Sequence, residues 1–576
     1  MAINLDTGVR GGSGRFLAGD TTPDAVFTRE DLSDEQLLFG RAAEEFMRTE
    51  VLPRVAELYN KDWVLTRALI KKAADRDFTR LEIPEAYGGL GLDKVSTACV
   101  GEQLSLSPSF AGSLGAHTSI GTLPIVYFGN AEQRERYLPR LANGELIGAF
   151  ALTEPEAGSD ALSARTTATL TPDGKFYSLR GQKLWITNGA FADIFTVFAR
   201  TSALEEGSKP KITAFIVERG MGITNGPNEH KLGIRGSSTT EIFMEDVRVP
   251  RENVIGEVGK GFKVAMEVLN NGRLSLASGC MGSCSTLLKL ALERVQERRA
   301  FGRNIGEFGL IKDKIATMLS LTFALESMTY LTAGLVDAKA ADYSLESGIC
   351  KVFGSEALWG VVNETLQIAA GIGYMADYPY ERMLRDARIN LIFEGTNEIL
   401  RCFVALSGMQ GPGKALSDVV KAMREPIKGF GLLSDFAIRK ARTVLGRERL
   451  TRAHPLLSRE AVIFEENTTE LAAYVENMLR KHGREIAEMQ LTQRRIADIA
   501  ADLYALAACI SRTTRAIERR GEEGARREID LTSVFATGAQ RRLRQNLFDA
   551  TRNDDELRKA VAGRAYADGA YPFDIV

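Results

Sequence analysis

Between about Phe150 and Gly256 the chain is written in short runs that alternate or are rich in β-branched and aromatic residues, while the segments on either side carry the longer period of amphipathic helices. The runs are 176–179, 184–187, 194–199, 212–217 and 240–249, punctuated by Pro172-Asp173-Gly174 and Asn225-Gly226-Pro227. Strands at that spacing, set off by turn residues, predict a small β domain. The order helix, strand, helix, helix argues against an alternating βαβ sheet. It predicts segregated layers: a mainly α protein with a central β domain.

At 576 residues the chain is too long for one simple core, so several packed domains are expected. Residues 1–30 read as an extended arm rich in Gly, Thr and Asp. Ser33 and Gln36 form a capping box that opens helical periodicity to about Leu58. Helical patterns run on to about Leu141, broken at Tyr87-Gly88-Gly89-Leu90-Gly91, and return from Gly261 to about Leu406. The segment 408–413 (GMQGPG) reads as a boundary before a last helical region. The expected division is a helical domain over 31–148, a β domain over 149–256, a second helical domain over 257–410 and an additional one over 411–576.

Several function classes fall away on composition. A net charge of −2 supplies no basic field for nucleic acid. No uninterrupted apolar stretch approaches the roughly 18–20 residues of a membrane span, and the first residues lack the apolar core of a secretory signal. Six cysteines (99, 280, 284, 350, 402 and 509) and four histidines are scattered without metal-ligand spacing, so no metal site is expected. Unpaired cysteines point to a reducing compartment, the cytoplasm.

One pattern invites a wrong turn. Gly371-Ile-Gly373-Tyr-Met-Ala376 fits a dinucleotide fingerprint, but that fingerprint needs a strand before it and a helix after it. Here 361–370 reads as helix and Asp377-Tyr-Pro379 forbids an immediate helix, so a Rossmann site is rejected. Two other segments carry more chemistry. FALTEPEAGSD (150–160) offers hydroxyls and turn amides, and LWITNG (184–189) offers an indole and a hydroxyl at a strand end, together suited to a polar-edged aromatic cofactor. In LIFEGTNEIL (391–400), Glu394 follows three apolar residues and precedes a helix start at Thr396 or Asn397. An acid there is ordinarily dipole compensation. The apolar flank instead predicts a desolvated carboxylate.

Taken together, TEPEAGSD (153–160), WITNG (185–189), ERRAFGR (297–303), QIAAGIGY (367–374) and FEGTNEIL (393–400) appear in the order found in acyl-CoA dehydrogenases, and residues 33–410 resemble that family. The resemblance implies an N-terminal helical domain, a middle β-barrel and a C-terminal four-helix-type domain, with FAD between the last two. The tail, Asn270-Asn-Gly-Arg273 and Asp377-Tyr-Pro-Tyr-Glu-Arg382 resemble the very-long-chain branch.

What the resemblance implies for the site is specific. Glu394 is the base that removes the proton α to a thioester, its backbone amide polarises the carbonyl, and the β hydrogen leaves as hydride to the flavin. Leu152, Thr153, Ser159, Trp185, Thr187, Arg298, Phe301, Gln367, Gly371, Thr396 and Glu398 are the FAD contacts, some of them from a neighbouring subunit. Ser159, Arg273, Phe393, Glu394 and Gly395 face the acyl-CoA. Three departures stand out: Ala300 where several members carry a polar residue, Ala370 in place of the first of a Gly-Gly pair, and Gly272 where some relatives place their catalytic glutamate. Small residues at Gly112, Gly115 and Ala116 lead to the expectation of long acyl chains.

The expected partners are a fatty acyl-CoA, electron-transfer flavoprotein as acceptor, and a second copy of the chain as a homodimer. Residues 414–447 mix apolar groups with excess Lys and Arg, which suits peripheral contact with the inner face of a membrane as well as packing on the protein's own surface. Two rival functions stay open on sequence alone: an acyl-CoA oxidase using dioxygen, and an assembly or binding factor on the same scaffold.

Overall fold

The computed structural model describes residues 25–201, 211–340, 342–424 and 450–573. They fall into two compact units, Ala25–Ile399 and a second built from Leu400 onward.

In the first unit, the Ser33 hydroxyl accepts from Gln36 N–H at 3.2 Å while Gln36 Oε1 accepts from Ser33 N–H at 2.9 Å, starting the helix Asp34–Phe46. After Phe46 the helix widens over Met47–Val51, and the chain reaches Tyr59 through the tight turn Leu52–Arg54, where Pro53 falls in the first turn, and the helix Val55–Tyr59. Helices Trp63–Ala74, Lys94–Leu104, Pro108–Gly115 and Ala131–Ala142 complete the layer. Its core centres on Phe46, whose ring lies 5.6 Å from Phe78 and 5.9 Å from Phe110.

The strands run from Gly148 to Ile255: β1 (Gly148–Ala151), β2 (Thr167–Leu170), β3 (Phe176–Thr187), β4 (Ile194–Thr201), β5 (Lys211–Glu218), β6 (Thr224–Asn228), β7 (Thr239–Pro250) and β8 (Val254–Ile255). They pair in the order β6-β7-β3-β2-β4-β5-β8, with β1 parallel to β4. β4 and β5 read as continuous apolar runs because both faces are covered. Ile194, Phe198, Ile212 and Ile216 pack with the helix side, and Phe195, Val197, Phe215 and Val217 fill the sheet's other core.

Long helices Gly261–Glu297, Gly309–Asp337 and Ser344–Ala369 form the third layer. Close approach is built in at Gly282, where a Cβ would fall 1.9 Å from Glu102 O. The helix Gly309–Asp337 is long and apolar enough to cross a membrane by length and composition, yet most of its apolar window is buried inside this layer. Ser344–Ala369 ends in the turn Ala370–Tyr374, so a helix precedes the glycines of GIGYMA, as the rejection of a Rossmann site requires.

The second unit packs Ser458–His482, Gln490–Gly524 and Arg526–Thr551 around Leu471, Leu503, Tyr504 and Phe535, and ends in the helix Asp555–Asp568, which buries none of its residues. The segment 408–413, read as a boundary, lies inside the helix Asn397–Arg424, and the two units divide at Ile399. Glycines and a proline weaken a helix without ending it when the turns on both sides hold. Residues 1–24 of the proposed arm, and most of the amphipathic segment 414–447, lie outside the described residues.

Candidate active site

The helix Pro379–Ala387 passes into the turn Arg388–Leu391, and Phe393 N–H donates to Ile389 O at 3.1 Å. The next two residues are left-handed, with φ +59° at Glu394 and +93° at Gly395. Glycine takes that conformation freely; at Glu394 it costs on the order of 1 kcal/mol or more. Thr396 Oγ1 then accepts from Ile399 N–H at 3.3 Å and caps the helix that begins at Asn397. A strained residue between two helices is a common signature of a side chain that must point one way.

The side chain it aims is a sealed carboxylate. Glu394 as a residue is half-buried, but its Oε2 is closed to solvent and has no hydrogen-bond partner. A Cβ at position 272 would lie 3.1 Å from that oxygen, so Gly272 leaves the acid its room. Burial raises the Glu394 carboxyl above the ordinary range, against the pull of Arg273 and Lys351. Arg273, expected to face the acyl-CoA, is 7% exposed; its Nε donates to Glu394 O at 3.2 Å and Nη1 donates to Asn270 Oδ1 at 2.8 Å.

Glu394, Phe393 and Thr187 line one cavity of about 290 Å³. It follows one face of the Gly261–Glu297 helix through Gly272, Ser275, Gly279, Ser283 and Leu287, a span of about 22 Å at helical rise. Its walls are mostly apolar, and several of the hydroxyls among them are turned away. Thr97 donates to Lys94 O, Ser105 to Glu102 O and Ser275 to Asn271 O, turning these hydroxyls towards backbone. Gly112, Gly115 and Ala116 also line it, and a Cβ at Gly115 would meet nothing within 4 Å.

A second set of expected residues sits on the strands. Leu152 and Thr153 follow β1, and Thr153 O accepts from Leu184 N–H at 2.9 Å, which ties this loop to the WITNG strand. Trp185 is left-handed (φ +58°) and 60% exposed. Ser159 is exposed on the same loop as Thr153. The remaining residues are displayed on the surface: Arg298 and Phe301 around the hairpin of Arg299–Ala300 and Arg303–Asn304, Gln367 and Gly371 at the end of Ser344–Ala369, and Glu398 beside the Thr396 cap. None of these five hydrogen-bonds to Glu394 in the described residues.

Buried ions that the sequence reading passed over hold these pieces. Lys183, fully buried, donates to Glu154 Oε1 at 2.6 Å and to Leu152 O at 3.1 Å; Glu154 also accepts from Arg165 and Thr166 N–H. Burial alone would raise the Glu154 carboxyl, but Lys183 and these donors hold it below its usual range. Asp386, 2% exposed, accepts from the Tyr59 hydroxyl and from Ile234 N–H. Lys351 does the same service behind Glu394. The one available signal was Glu154 inside TEPEAGSD, an acid in a loop otherwise suited to turns.

An apolar channel that ends on a strained, desolvated acid suits removal of a proton from carbon, next to a carbonyl carried on a long apolar chain. The chain belongs to the acyl-CoA dehydrogenase family: the family's N-terminal, middle and C-terminal domains match residues 33–145, 149–247 and 259–408. Within it, the ACAD9/ACADV C-terminal domain matches residues 455–565 and sets the chain among the very-long-chain type. It is 44% identical over 476 residues to the human mitochondrial very long-chain specific acyl-CoA dehydrogenase, spanning 81% of this chain and 72% of that one. A probable acyl-CoA dehydrogenase of Bacillus subtilis is 38% identical over 91% of this chain and 88% of its own. The crystal structure of a Bacillus anthracis acyl-CoA dehydrogenase complexed with FAD superposes with a TM-score of 0.85 at 37% identity, covering 96% of this chain and 94% of that chain.

Proposed function

We propose that this acyl-CoA dehydrogenase introduces the α,β double bond into long-chain fatty acyl-CoA thioesters, with Glu394 as the base and electron-transfer flavoprotein as the acceptor. The observation that carries the reading is the buried, unpartnered Glu394 Oε2 at the head of the channel. The enzyme is a flavoprotein that uses FAD, and its residues fit that group. Left-handed backbone recurs at Trp185, Phe301 and Ala370, and the aromatic faces of Trp185 and Phe301 are exposed rather than packed. Leu152, Thr153, Ser159, Trp185 and Thr187 would hold the ring system, Arg298, Phe301, Gln367 and Gly371 the phosphate and adenosine portions, and Thr396 and Glu398 its remaining polar edge.

Bound FAD supplies the acceptor for the β hydrogen as hydride. Everything else is done by the chain. The channel takes the acyl group and excludes water, so Glu394 meets the α carbon desolvated, where a carboxylate is a stronger base. Glu394 takes the α proton, and its own backbone N–H donates to the thioester carbonyl as negative charge gathers there. The proton then rests on a carboxyl whose raised affinity suits holding it.

Chain length follows from the channel. A reach of about 22 Å along the Gly261–Glu297 helix, with open space at Gly115, favours long acyl groups over butyryl. The test is anaerobic addition of palmitoyl-CoA while following the flavin absorbance. Bleaching is expected, and Glu394→Gln should abolish it without releasing FAD. Faster bleaching with butyryl-CoA would overturn the chain-length reading, and stoichiometric peroxide in air would reassign the acceptor to dioxygen. The site of action proposed is the cytoplasm, with peripheral contact at the membrane through 414–447; cosedimentation with anionic liposomes at low salt checks it.

A further inference from the structure

We propose that Lys351 is a positioning residue for the acid at 394: from the middle of the Ser344–Ala369 helix it fixes the left-handed Glu394–Gly395 turn and gives the carboxylate a positive neighbour at neutral pH. This inference rests on Glu394 being the base.

Lys351 has no exposed surface. Its Nζ donates to Gly395 O at 2.8 Å and to Asn397 Oδ1 at 2.8 Å. Asn397, 1% exposed, is locked in turn, its Nδ2 donating to Ser355 Oγ at 3.0 Å and to Glu356 Oε1 at 3.1 Å. The ammonium therefore grips the turn from behind, one carbonyl after the Glu394 carbonyl that Arg273 holds from the Gly261–Glu297 helix. Two helices thus clamp two successive left-handed peptides.

Burying an ammonium is costly, and an apolar side chain would pack there at less cost. The charge is retained where it meets the acid's own loop. The groups that act on Lys351 are Cys280 and Arg273 from the Gly261–Glu297 helix, Glu356 from its own helix, and Glu394. Burial pushes the Cys280 thiol up to about 12, so it stays neutral, and burial brings Lys351 down to about 8, so it is protonated at neutral pH. On the carboxylate the acting charges are Arg273 and Lys351, both of which favour ionisation. Without Lys351 the acid would keep its desolvation and lose one of the two charges that oppose it, leaving Arg273 alone.

The test measures holoenzyme variants in two ways: the rate of flavin reduction by palmitoyl-CoA against pH, and the infrared titration of the Glu394 carboxyl without substrate, identified by its loss in Glu394→Gln. For Lys351→Met the reduction rate should fall by about tenfold or more, with KM nearly unchanged. The carboxyl midpoint and the acid limb of the rate should both move up by about one unit. Lys351→Arg keeps the charge and should leave the midpoint in place. A slower Lys351→Met enzyme with an unmoved midpoint would make Lys351 ordinary packing and overturn the proposal, as would an unchanged rate. If Lys351→Met does not retain flavin, Lys351→Gln is compared with Lys351→Arg, and equal midpoints overturn it. Bleaching of Glu394→Gln by palmitoyl-CoA would instead sink the base assignment itself, a separate outcome.

Discussion

At the scale of the residue, this site is organised by backbone that side chains ordinarily avoid. Glu394, Trp185, Phe301 and Ala370 all have φ between +52° and +59°. At Glu394 the strain directs the acid into the channel, and two buried cations hold it there. Ala370 is different. It stands at φ +56° and ψ −135°, a glycine conformation held with a methyl group, while its N–H closes the preceding helix on Leu366 O and Gln367 O. Ala370→Gly should therefore stabilise the holoenzyme by about 1 kcal/mol, the relief of strain exceeding the entropy glycine adds to the unfolded chain. Thermal unfolding of the two proteins at one FAD concentration checks this; a lower midpoint for the glycine variant would mean that the turn Ala370–Tyr374 carries no strain.

Among the elements, the join between the helical layer and the sheet depends on a neutral histidine. His117 is fully buried, with Nε2 3.2 Å from Leu141 O in the helix Ala131–Ala142 and Nδ1 accepting from Gly148 N–H at 3.1 Å at the head of β1. Accepting at Nδ1 requires the proton on Nε2, and a second proton would break the bond to β1. Burial holds His117 down at about 4, against about 6.5 in an unfolded chain. Between those values the folded state binds fewer protons than the unfolded one. Its contribution to stability is therefore whole above pH 6.5 and is lost as pH falls towards 4, by up to about 3 kcal/mol. Urea midpoints measured across this window should fall with pH, and His117→Gln, whose amide can both donate and accept, should flatten the slope; an unaltered slope would assign the effect to other groups. These elements were largely legible in the sequence, because strands 176–187, 194–201 and 239–250 and the Ser33 cap are specified by neighbours in the chain. The five ordered motifs were legible for the same reason. What stayed hidden acts across distance in the sequence: Lys183 on Glu154, Lys351 on Gly395 and Tyr59 on Asp386 read as ordinary polar residues until the fold buries them together. The helix through 408–413 was hidden too, since local glycine and proline content outweighed its flanking turns in the reading.

For the whole molecule, each unit is internally tied. In the second, Asp498 and Asp502 on the Gln490–Gly524 helix pair with Arg401 and Arg542, and Arg495 grips Asp555 with two bonds of 2.5 and 2.8 Å. What the first unit leaves unfinished is the hairpin around Phe301. Its ring is 94% exposed, yet the hairpin is stiff: Arg299 donates to Gly302 O at 2.7 Å, Asn304 Nδ2 to Gln296 O at 2.9 Å, and Arg303 stacks 4.1 Å over Phe308. Leu310, 81% exposed, lies just beyond. A rigid loop that displays an aromatic ring to water is costly for a lone monomer and suits an anchor in an interface. The partner proposed is a second copy of the chain, with Phe301 reaching its cofactor. Sedimentation velocity of the holoenzyme should give a dimer, and Phe301→Asp should weaken it by about 2 kcal/mol, roughly thirtyfold in the dissociation constant, while lowering the FAD retained on gel filtration. If the variant stays dimeric but loses FAD, the ring serves the cofactor and not the association. If it keeps both, the displayed aromatic needs another occupant, and the second copy is excluded from this face.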